Sequence, residues 1–246
     1  MQRSLSTTGR DVLSRLSFAA VGIMVVAPVS LAQRAPDAVA VDPTHHNVLF
    51  ENDHVRVFRA MAAPGARSPM HTHPPFVFVG LGTARAQLTP AGAAPVIFDV
   101  HPEQVMWLEN AEHSWEMLAG QLHVIAVEVK AAARGTPPPA ITLPSTDAVT
   151  ADPVGHQVIF ENDYVRVLSG LAGSGYRSPM HSHSQGLVLI ELGRVRMHFT
   201  PAGGNSMIFD LHPNQVMWLD AGAHSWEVLA GQHRAIAVEV KSATAP

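Results

Sequence analysis

The chain has 246 residues, of which 47% are hydrophobic and 15% charged, so it has enough apolar material for one large packed domain or two smaller ones. The formal charge of −4 and the lack of a basic run beyond the N-terminal segment exclude a nucleic-acid-binding surface, which needs clustered lysine and arginine. The absence of cysteine excludes disulfides, thiolate metal sites and cysteine nucleophiles, whereas the 15 histidines offer imidazole as a metal ligand.

The N-terminal segment has the charge order of a secretory signal peptide. Three arginines lie within the first 15 residues, and the uncharged stretch LSFAAVGIMVVAPVSLA follows at 16–32. Ser30 and Ala32 place small residues before a cleavage site at Gln33. We therefore predict a signal peptide at 1–32, a periplasmic or secreted mature protein, and no membrane association after cleavage. A retained membrane anchor is the alternative, because the apolar stretch approaches the roughly 20 residues that span a bilayer.

The rest of the chain is a tandem duplication. Residues 48–73 (VLFENDHVRVFRAMAAPGARSPMHTH) align with 158–183 (VIFENDYVRVLSGLAGSGYRSPMHSH), and residues 96–130 align with 207–241. The two copies are about 110 residues apart, which is the length of a domain and too long for a solenoid repeat. The sequence therefore predicts two homologous domains.

A stretch rich in Ala, Pro and Thr separates the two copies. We interpret residues 131–150 as a semi-rigid extended linker between domains at 41–130 and 151–241. Because two such domains can pack against each other within one chain, we expect a monomer or a homodimer.

Each copy has the pattern of a series of short β-strands. Segments such as VRVFRA, FVFVGL and QVMWL are rich in Val, Ile and aromatic residues, and turn sequences such as PGARSP and TPAGAAP separate them. No apolar stripe with a helical period occurs outside the N-terminal segment. Seven or so strands in about 95 residues predict an all-β fold of two tandem sandwich or jelly-roll barrels.

The histidines of the SPMH motif recur in both copies with the same spacing. Two histidines separated by one residue on a strand point to the same face of the sheet, where they supply half of a divalent metal site. The third ligand that we predict is the histidine of the downstream HSWE motif, about 40 residues later in each copy. The predicted metal ligands are His71, His73 and His113 in the first copy and His181, His183 and His224 in the second.

These motifs resemble those of the cupin superfamily, whose first motif has the form G-x5-H-x-H-x3,4-E-x6-G. Residues 65–73 and 175–183 match its opening in spacing, and Gly82 and Gly193 fit its closing glycine. The second motif, G-x5-P-x-G-x2-H-x3-N, is matched more loosely by residues 220–224, which contain its glycine and histidine without the proline. The resemblance covers residues 41–241 and implies two tandem cupin barrels of the double-stranded β-helix type.

The glutamate of the first cupin motif has no counterpart at the expected positions, which are occupied by Val77 and Phe78 in one copy and by Leu187 and Val188 in the other. We expect these apolar residues to wall the pocket near the metal. The resemblance then implies a divalent ion bound by three neutral histidines. Fe(II) is our favoured ion, since it suits an oxygen-dependent cupin enzyme, while Zn, Mn and Ni are the alternatives.

The motifs leave the catalytic residues open. The weak candidates are Arg67 and Arg177, which could hold a substrate carboxylate, and Glu116 and Glu227, which follow the third histidine by three positions. A surface salt bridge is the alternative for each of them.

Two classes of function fit this sequence. One is a metal-dependent enzyme, with dioxygenase-like oxidation or cleavage of a small anionic or enolisable substrate favoured. The other is a non-catalytic module that binds or senses a small molecule or a metal. A metal-dependent isomerase, lyase or hydratase would require a base such as His101 or Glu116 to face the pocket.

Overall fold

The computed structural model describes residues 23–24, 34–109, 112–130 and 146–241. The predicted signal peptide lies outside the described residues except for Ile23–Met24, which form a short strand, β1, parallel to residues 107–108. Most of the predicted linker, residues 131–145, also lies outside them. Among the residues that are described, no helix has the length and apolar character needed to cross a membrane.

The described residues form two sets of antiparallel strands, one from each copy of the repeat. The first set comprises α1 (Ala38–Val41), β2 (His46–Glu51), β3 (Val55–Ala62), β4 (Arg67–Thr72), β5 (Phe76–Gly80), β6 (Ala84–Pro90), β7 (Val96–Val100), β8 (Val105–Leu108), β9 (Glu112–Gly120) and β10 (Leu122–Val129). The second set comprises α2 (Ala148–Ala151), β11 (Gln157–Glu161), β12 (Val165–Gly173), β13 (Arg177–His183), β14 (Leu187–Glu191), β15 (Val195–Pro201), β16 (Met207–Leu211), β17 (Val216–Leu219) and β18 (Gly222–Val240).

Each set folds as two sheets of a jelly roll. In the first barrel, the order β8-β5-β10-β3-β2 forms one sheet and β4-β9-β6-β7 forms the other. The second barrel repeats this order, with the long strand β18 pairing with β12 and β14 in one sheet and with β13 and β15 in the other. The prediction of an all-β fold with two tandem jelly-roll barrels is confirmed.

Strand β10 shows how alternate side chains serve two different cores. Ile125, Val127 and Val129 belong to an apolar cluster that also contains residues of the second barrel. Val124 and Ala126, on the opposite face, line the interior of the first barrel. Because successive side chains on a strand point to opposite faces, both faces of β10 are buried and the strand carries almost no polar residues.

The two barrels therefore pack against each other through the outer faces of their larger sheets. The ring of Trp107 stacks on that of Tyr164 with a centroid separation of 5.6 Å, and His54 stacks on Trp218 at the same separation. Valines and isoleucines of both barrels, among them Val57 and Val238 with no exposed surface, fill the space between these aromatic pairs. Burial of this apolar area stabilises the contact at roughly 25 cal/mol per Å².

Candidate metal centres

Strands β4 and β9 bring the three predicted histidines of the first barrel together. His71 lies directly opposite His113 in the antiparallel register, and His73 is on the same face two residues further on. The ring centroids are 4.6 Å apart for His71 and His113, 4.9 Å for His71 and His73, and 5.5 Å for His73 and His113. Gly65, with a φ of 86°, forms the turn that leads into β4, and its left-handed backbone explains the glycine at the start of the motif.

The second barrel reproduces this arrangement. His181 is the register partner of His224 across β13 and β18, and their ring centroids are 4.5 Å apart. His183 lies 5.2 Å from each of the other two rings. All six predicted ligands are thus placed in two clusters of three.

A fourth histidine joins each cluster, and the sequence analysis did not predict it. His46, the first residue of β2, lies 5.0 Å from His71 and 5.7 Å from His73 between ring centroids. In the second barrel, the ring centroid of His156 lies 4.5 Å from that of His181 and 5.6 Å from that of His183. In each barrel, one ring nitrogen from this histidine and one from each histidine of the SPMH motif all lie within 4.8 Å of one another, which is close enough for one ion.

Hydrogen bonds at Nδ1 fix which nitrogen each ring presents. In the first barrel, Nδ1 of His71 lies 2.7 Å from the carbonyl oxygen of Pro69, and Nδ1 of His46 lies 3.0 Å from the carbonyl oxygen of Asp42. Nδ1 of His73 lies 2.9 Å from Oε1 of Glu128. Since these oxygens only accept, Nδ1 donates in each case and Nε2 carries the free lone pair. Three imidazoles are therefore held in the tautomer that binds a metal through Nε2.

A buried ion-pair network lies behind the second of the SPMH histidines. Glu128, 1% exposed, accepts from His73 and also from Nε of Arg56 at 2.5 Å. Arg56 in turn forms two hydrogen bonds with Asp37, the residue that caps α1. In the second barrel, the same roles belong to Glu239, Arg166, Asp147 and His183, and Glu239 is also 1% exposed. This network orients one ligand in each barrel.

The environment favours the neutral form of six of these eight imidazoles, namely His46, His71, His113, His156, His181 and His224. Burial, with a contribution from the neighbouring histidine, lowers the pKa of His71 to about 4. The same two causes lower the pKa of His156 to about 3 and that of His224 to about 2. Burial also lowers the pKa of His46, and it holds that of His113 well below its usual range. Neutral imidazole is the form that binds a metal ion, so both clusters are ready to bind one near neutral pH.

Two observations fit a divalent metal at these clusters. Nε2 of His71 is fully buried and has no hydrogen-bond partner among the described residues, a loss of about 1–3 kcal/mol unless the atom binds something else. In the second barrel, Nε2 of His181 and Nε2 of His224 lie 3.1 Å apart. Two nitrogens bound to one ion at about 2.1 Å in adjacent positions would be separated by about 3.0–3.4 Å. The donor set, made only of imidazoles, suits Fe, Zn, Cu or Ni.

Three histidines of each cluster line a pocket inside their barrel, whereas His71 and His181 do not. The first pocket has a volume of about 940 Å³ counted to its open mouth, and its lining is apolar apart from histidines and the two carboxylates Glu109 and Glu112. The second has a volume of about 600 Å³, and its described lining contains no carboxylate. Trp115 and Trp226 occupy equivalent positions beside the histidines in the two pockets.

The weak catalytic candidates are brought together in pairs, away from the histidines. Arg67 donates to Glu116 at 2.8 Å, and Arg177 lies 3.0 Å from Glu227. The two arginine side chains are 71% and 76% exposed, and none of these four residues lines a pocket. His101, the other base that an isomerase would need, is exposed on a turn. These positions are typical of surface ion pairs and turns.

The residues at the missing-glutamate positions divide between two faces. Phe78 and Leu187 line the two pockets, in agreement with the prediction that they wall the site. Val77 and Val188 do not, because they point outward into the apolar cluster between the barrels. The expectation for these two valines was therefore wrong, and the reason is the alternation of side chains along β5 and β14.

No family model and no curated protein matches the sequence. Among solved structures, the chain is similar to AerE from Microcystis aeruginosa, with 13% identity, a TM-score of 0.52, and coverage of 79% of this chain and 96% of that one. It is also similar to oxalate decarboxylase from Bacillus subtilis, a protein described with Mn(II) centres, with 12% identity, a TM-score of 0.54, and coverage of 87% and 75%. A third similar structure is the coconut allergen cocosin, with 11% identity, a TM-score of 0.55, and coverage of 76% and 77%. The chain thus has the fold of the cupin superfamily, as two barrels in tandem with a cluster of histidines in each.

Proposed function

We propose that the protein is a metal-dependent enzyme that binds one divalent ion in each barrel and acts on a small anionic or enolisable molecule. The observation that supports this is the convergence of four histidines beside an apolar pocket, repeated in both barrels. The predicted signal peptide leads us to propose further that the mature protein works in the periplasm or outside the cell.

In the first barrel, His71, His73 and His113 would hold the ion, with His46 as a fourth ligand. His46 would then provide the ligand that the missing motif glutamate provides in the cupin pattern. Because imidazole is neutral, the ion would keep its full double charge toward the pocket, which favours an anionic or enolate substrate. The equivalent ligands in the second barrel are His156, His181, His183 and His224.

Fe(II) is the ion that we propose, and it would supply oxygen-dependent oxidation or cleavage of the substrate when bound. The residues of the chain have separate tasks around it. The apolar pocket walls, with Phe78 and Phe98 in edge-to-face contact at 5.7 Å, exclude water from the reacting groups. Glu128 holds the ring of His73 in a single orientation through Nδ1.

A non-catalytic binding or sensing function is the second candidate, and one observation favours it. The described residues that line the second pocket include no carboxylate, lysine or tyrosine, so histidine is the only side chain there that can accept or donate a proton in catalysis. Such a pocket can hold a ligand against a metal without transforming it.

The first test is elemental analysis of protein purified without chelators or affinity metals. We expect about two equivalents of divalent metal per chain, and about one in the triple variant His71→Ala, His73→Ala and His113→Ala. His46→Ala should lower the affinity of the first barrel for metal without removing it. The control is His101→Ala, which replaces an exposed histidine and should keep both equivalents.

The identity of the metal then directs the activity assay. Stoichiometric iron makes oxygen consumption with small acids and diketones the next measurement, and turnover with any of them would support the enzyme. Zinc instead of iron would refute the oxygen-dependent reaction. A metal content near zero in the wild-type protein would refute the metal centre itself.

A further inference from the structure

Among the differences between the two pockets, one is a buried polar pair that only the second barrel contains. Glu191 ends β14, and His233 lies on β18 beside it, with Nδ1 of His233 and Oε2 of Glu191 2.7 Å apart. The two side chains are 1% and 7% exposed. The equivalent positions in the first barrel are Gly80 and Leu122, so this pair is present in one copy of the repeat only.

Glu191 is fully bonded by the protein, whereas His233 is not. Oε1 of Glu191 accepts from the backbone N–H groups of Gly193 and Arg234, both at 3.0 Å, and Oε2 accepts from Nδ1 of His233. Among the described residues, none makes a hydrogen bond with Nε2 of His233, and the residue lines the pocket. The carboxylate thus fixes the ring, and the ring has one polar atom available to a ligand.

A third difference accommodates this ring. Gly170 on β12 replaces Ala60 of the first barrel, and a Cβ at Gly170 would lie 3.3 Å from Nε2 of His233. In the first barrel, a Cβ at Gly80 would lie 2.3 Å from the carbonyl oxygen of His101, so a glutamate has no room there. The second barrel thus differs from the first at the three positions 170, 191 and 233. A buried polar site requires such matched changes, because every buried donor and acceptor needs a partner and the added ring needs space.

We propose that Glu191 and His233 form a specificity site that binds an oxygen-bearing group at the end of a small ligand in the second barrel. His233 lies beside Trp226 at 5.1 Å between ring centroids, and Trp226 lies 6.1 Å from His156 of the metal cluster. A small molecule along Trp226 therefore contacts both the metal cluster and Nε2 of His233. Nε2 accepts from a ligand hydroxyl when the ring is neutral, and donates to a carboxylate or carbonyl oxygen when it is charged.

The first barrel would favour a ligand whose end is apolar. Its pocket presents Leu122 at the position of His233, together with Phe58 and Phe76, and it is the larger of the two. An apolar end is favoured there, since a buried hydroxyl or carboxylate without a partner is costly. This inference rests on the proposal that the barrels bind small molecules, and it assigns different ligands to them.

The test is isothermal titration of the full-length protein with three probes of equal chain length: hexanoate, its ω-hydroxy derivative and the dicarboxylate adipate. We expect one of the two polar probes to bind to one class of site about 5- to 10-fold more tightly than hexanoate, the effect of one hydrogen bond. A gain with the hydroxy acid indicates a neutral ring, and a gain with adipate indicates a charged one.

Two variants assign this gain to the second barrel. His233→Asn keeps an amide that can bond Glu191 but lacks Nε2, and the double variant Glu191→Gly with His233→Leu has the residues of the first barrel at these two positions. Both should lose the gain while keeping the metal content of the wild type. A gain that persists in His233→Asn would overturn the site, because His233 would then serve only to pair Glu191.

The failure of this inference and that of the proposed function give different results. Binding of all three probes with equal affinity to the wild-type protein would overturn the specificity site and leave the small-molecule pockets supported. Binding of none of them to either barrel would overturn both.

Discussion

Replacement of Glu128 by glutamine tests whether the buried carboxylate behind His73 supports the metal site. The carboxylate accepts from Nδ1 of His73 with one oxygen and from Nε of Arg56 with the other. An amide offers one accepting oxygen and one donating nitrogen. In Glu128→Gln, therefore, either His73 or Arg56 faces an N–H group and loses its acceptor inside the protein.

The size of the effect follows from the burial of this network. Glu128 is 1% exposed, and Arg56 keeps only the partly exposed Asp37 as a counter-charge after the replacement. A lost charged hydrogen bond costs about 1.5–3 kcal/mol, and breaking a buried pair costs about 3–5 kcal/mol, so we expect a loss of about 3 kcal/mol. For a chain of this length that is about 6–12 °C in the unfolding temperature. The metal affinity of the first barrel should fall about 10- to 100-fold.

The assays are thermal unfolding of the metal-free protein and competition for metal with a chromophoric chelator. Glu116→Gln is the matched control, since it removes the same charge from a surface pair in which Arg67 is 71% exposed. Such pairs contribute about 0–1 kcal/mol, so the control should unfold near the wild-type temperature and keep its metal affinity. Equal effects of the two replacements would refute the role that we assign to Glu128.

Two further predictions concern the neutral histidines and the contact between the barrels. The pKa of His71 is about 4 in the folded chain, below the ordinary value of 6.5, so the unfolded chain takes up this proton at a higher pH than the folded chain does. The metal-free protein should therefore be most stable above pH 6.5. As the pH falls toward 4, its free energy of unfolding should decrease by about 1 kcal/mol per pH unit for each such histidine. Denaturant titration between pH 4.5 and 7.5 measures this, and stability that is independent of pH would contradict it. Trp107→Ala removes a side chain that is 3% exposed from the contact between the barrels, and it should lower the free energy of unfolding by about 3–5 kcal/mol. The control Ile208→Ala changes a side chain that is 46% exposed and should lower it by about 0.5 kcal/mol or less, in the same titration at pH 7.5. Equal losses would show that Trp107 does not support that contact.

The strand pattern and the internal repeat were sufficient to predict the fold. The period of two residues places His71 and His73 on one face of the chain at β4, and this alternation is a local rule. The pairing of β4 with β9, which brings His113 opposite His71, is a long-range contact that the predicted strands made possible. The same alternation occurs in the second copy, and this repetition distinguishes the histidine pattern from an accidental cluster.

The fourth histidine of each cluster was missed because the repeat was aligned from residue 48 onward. The upstream segments DAVAVDPTHHN at 37–47 and DAVTADPVGHQ at 147–157 also correspond, and this alignment matches His46 with His156. The same segments contain the aspartates that cap α1 and α2 and pair with the half-buried Arg56 and Arg166. An alignment extended by ten residues would have revealed this signal.

Other errors came from the assumption that an alternating strand has one face in solvent. Glu128 lies at an alternate position of β10 and is nevertheless inside the barrel, since the other face of the strand packs on the second barrel. Val77 was expected in the pocket and lies between the barrels for the same reason. A packed partner domain makes both faces of a strand apolar, and the sequence alone then gives no sign of which face is the interior.

The comparison of the two barrels separates what a metal centre requires from what a ligand requires. Four imidazoles must meet within a few ångströms, so a change at any of these positions removes a ligand, and both copies have histidine at all four. The pocket wall has no such geometric requirement, and there the two copies differ: Gly80 and Leu122 of the first barrel correspond to Glu191 and His233 of the second. If the second barrel served only to support the first, its wall would gain nothing from a buried polar pair whose donors and acceptors each need a partner. The presence of that pair, with a ring nitrogen left available to the pocket, is therefore an argument that the second barrel binds a ligand of its own.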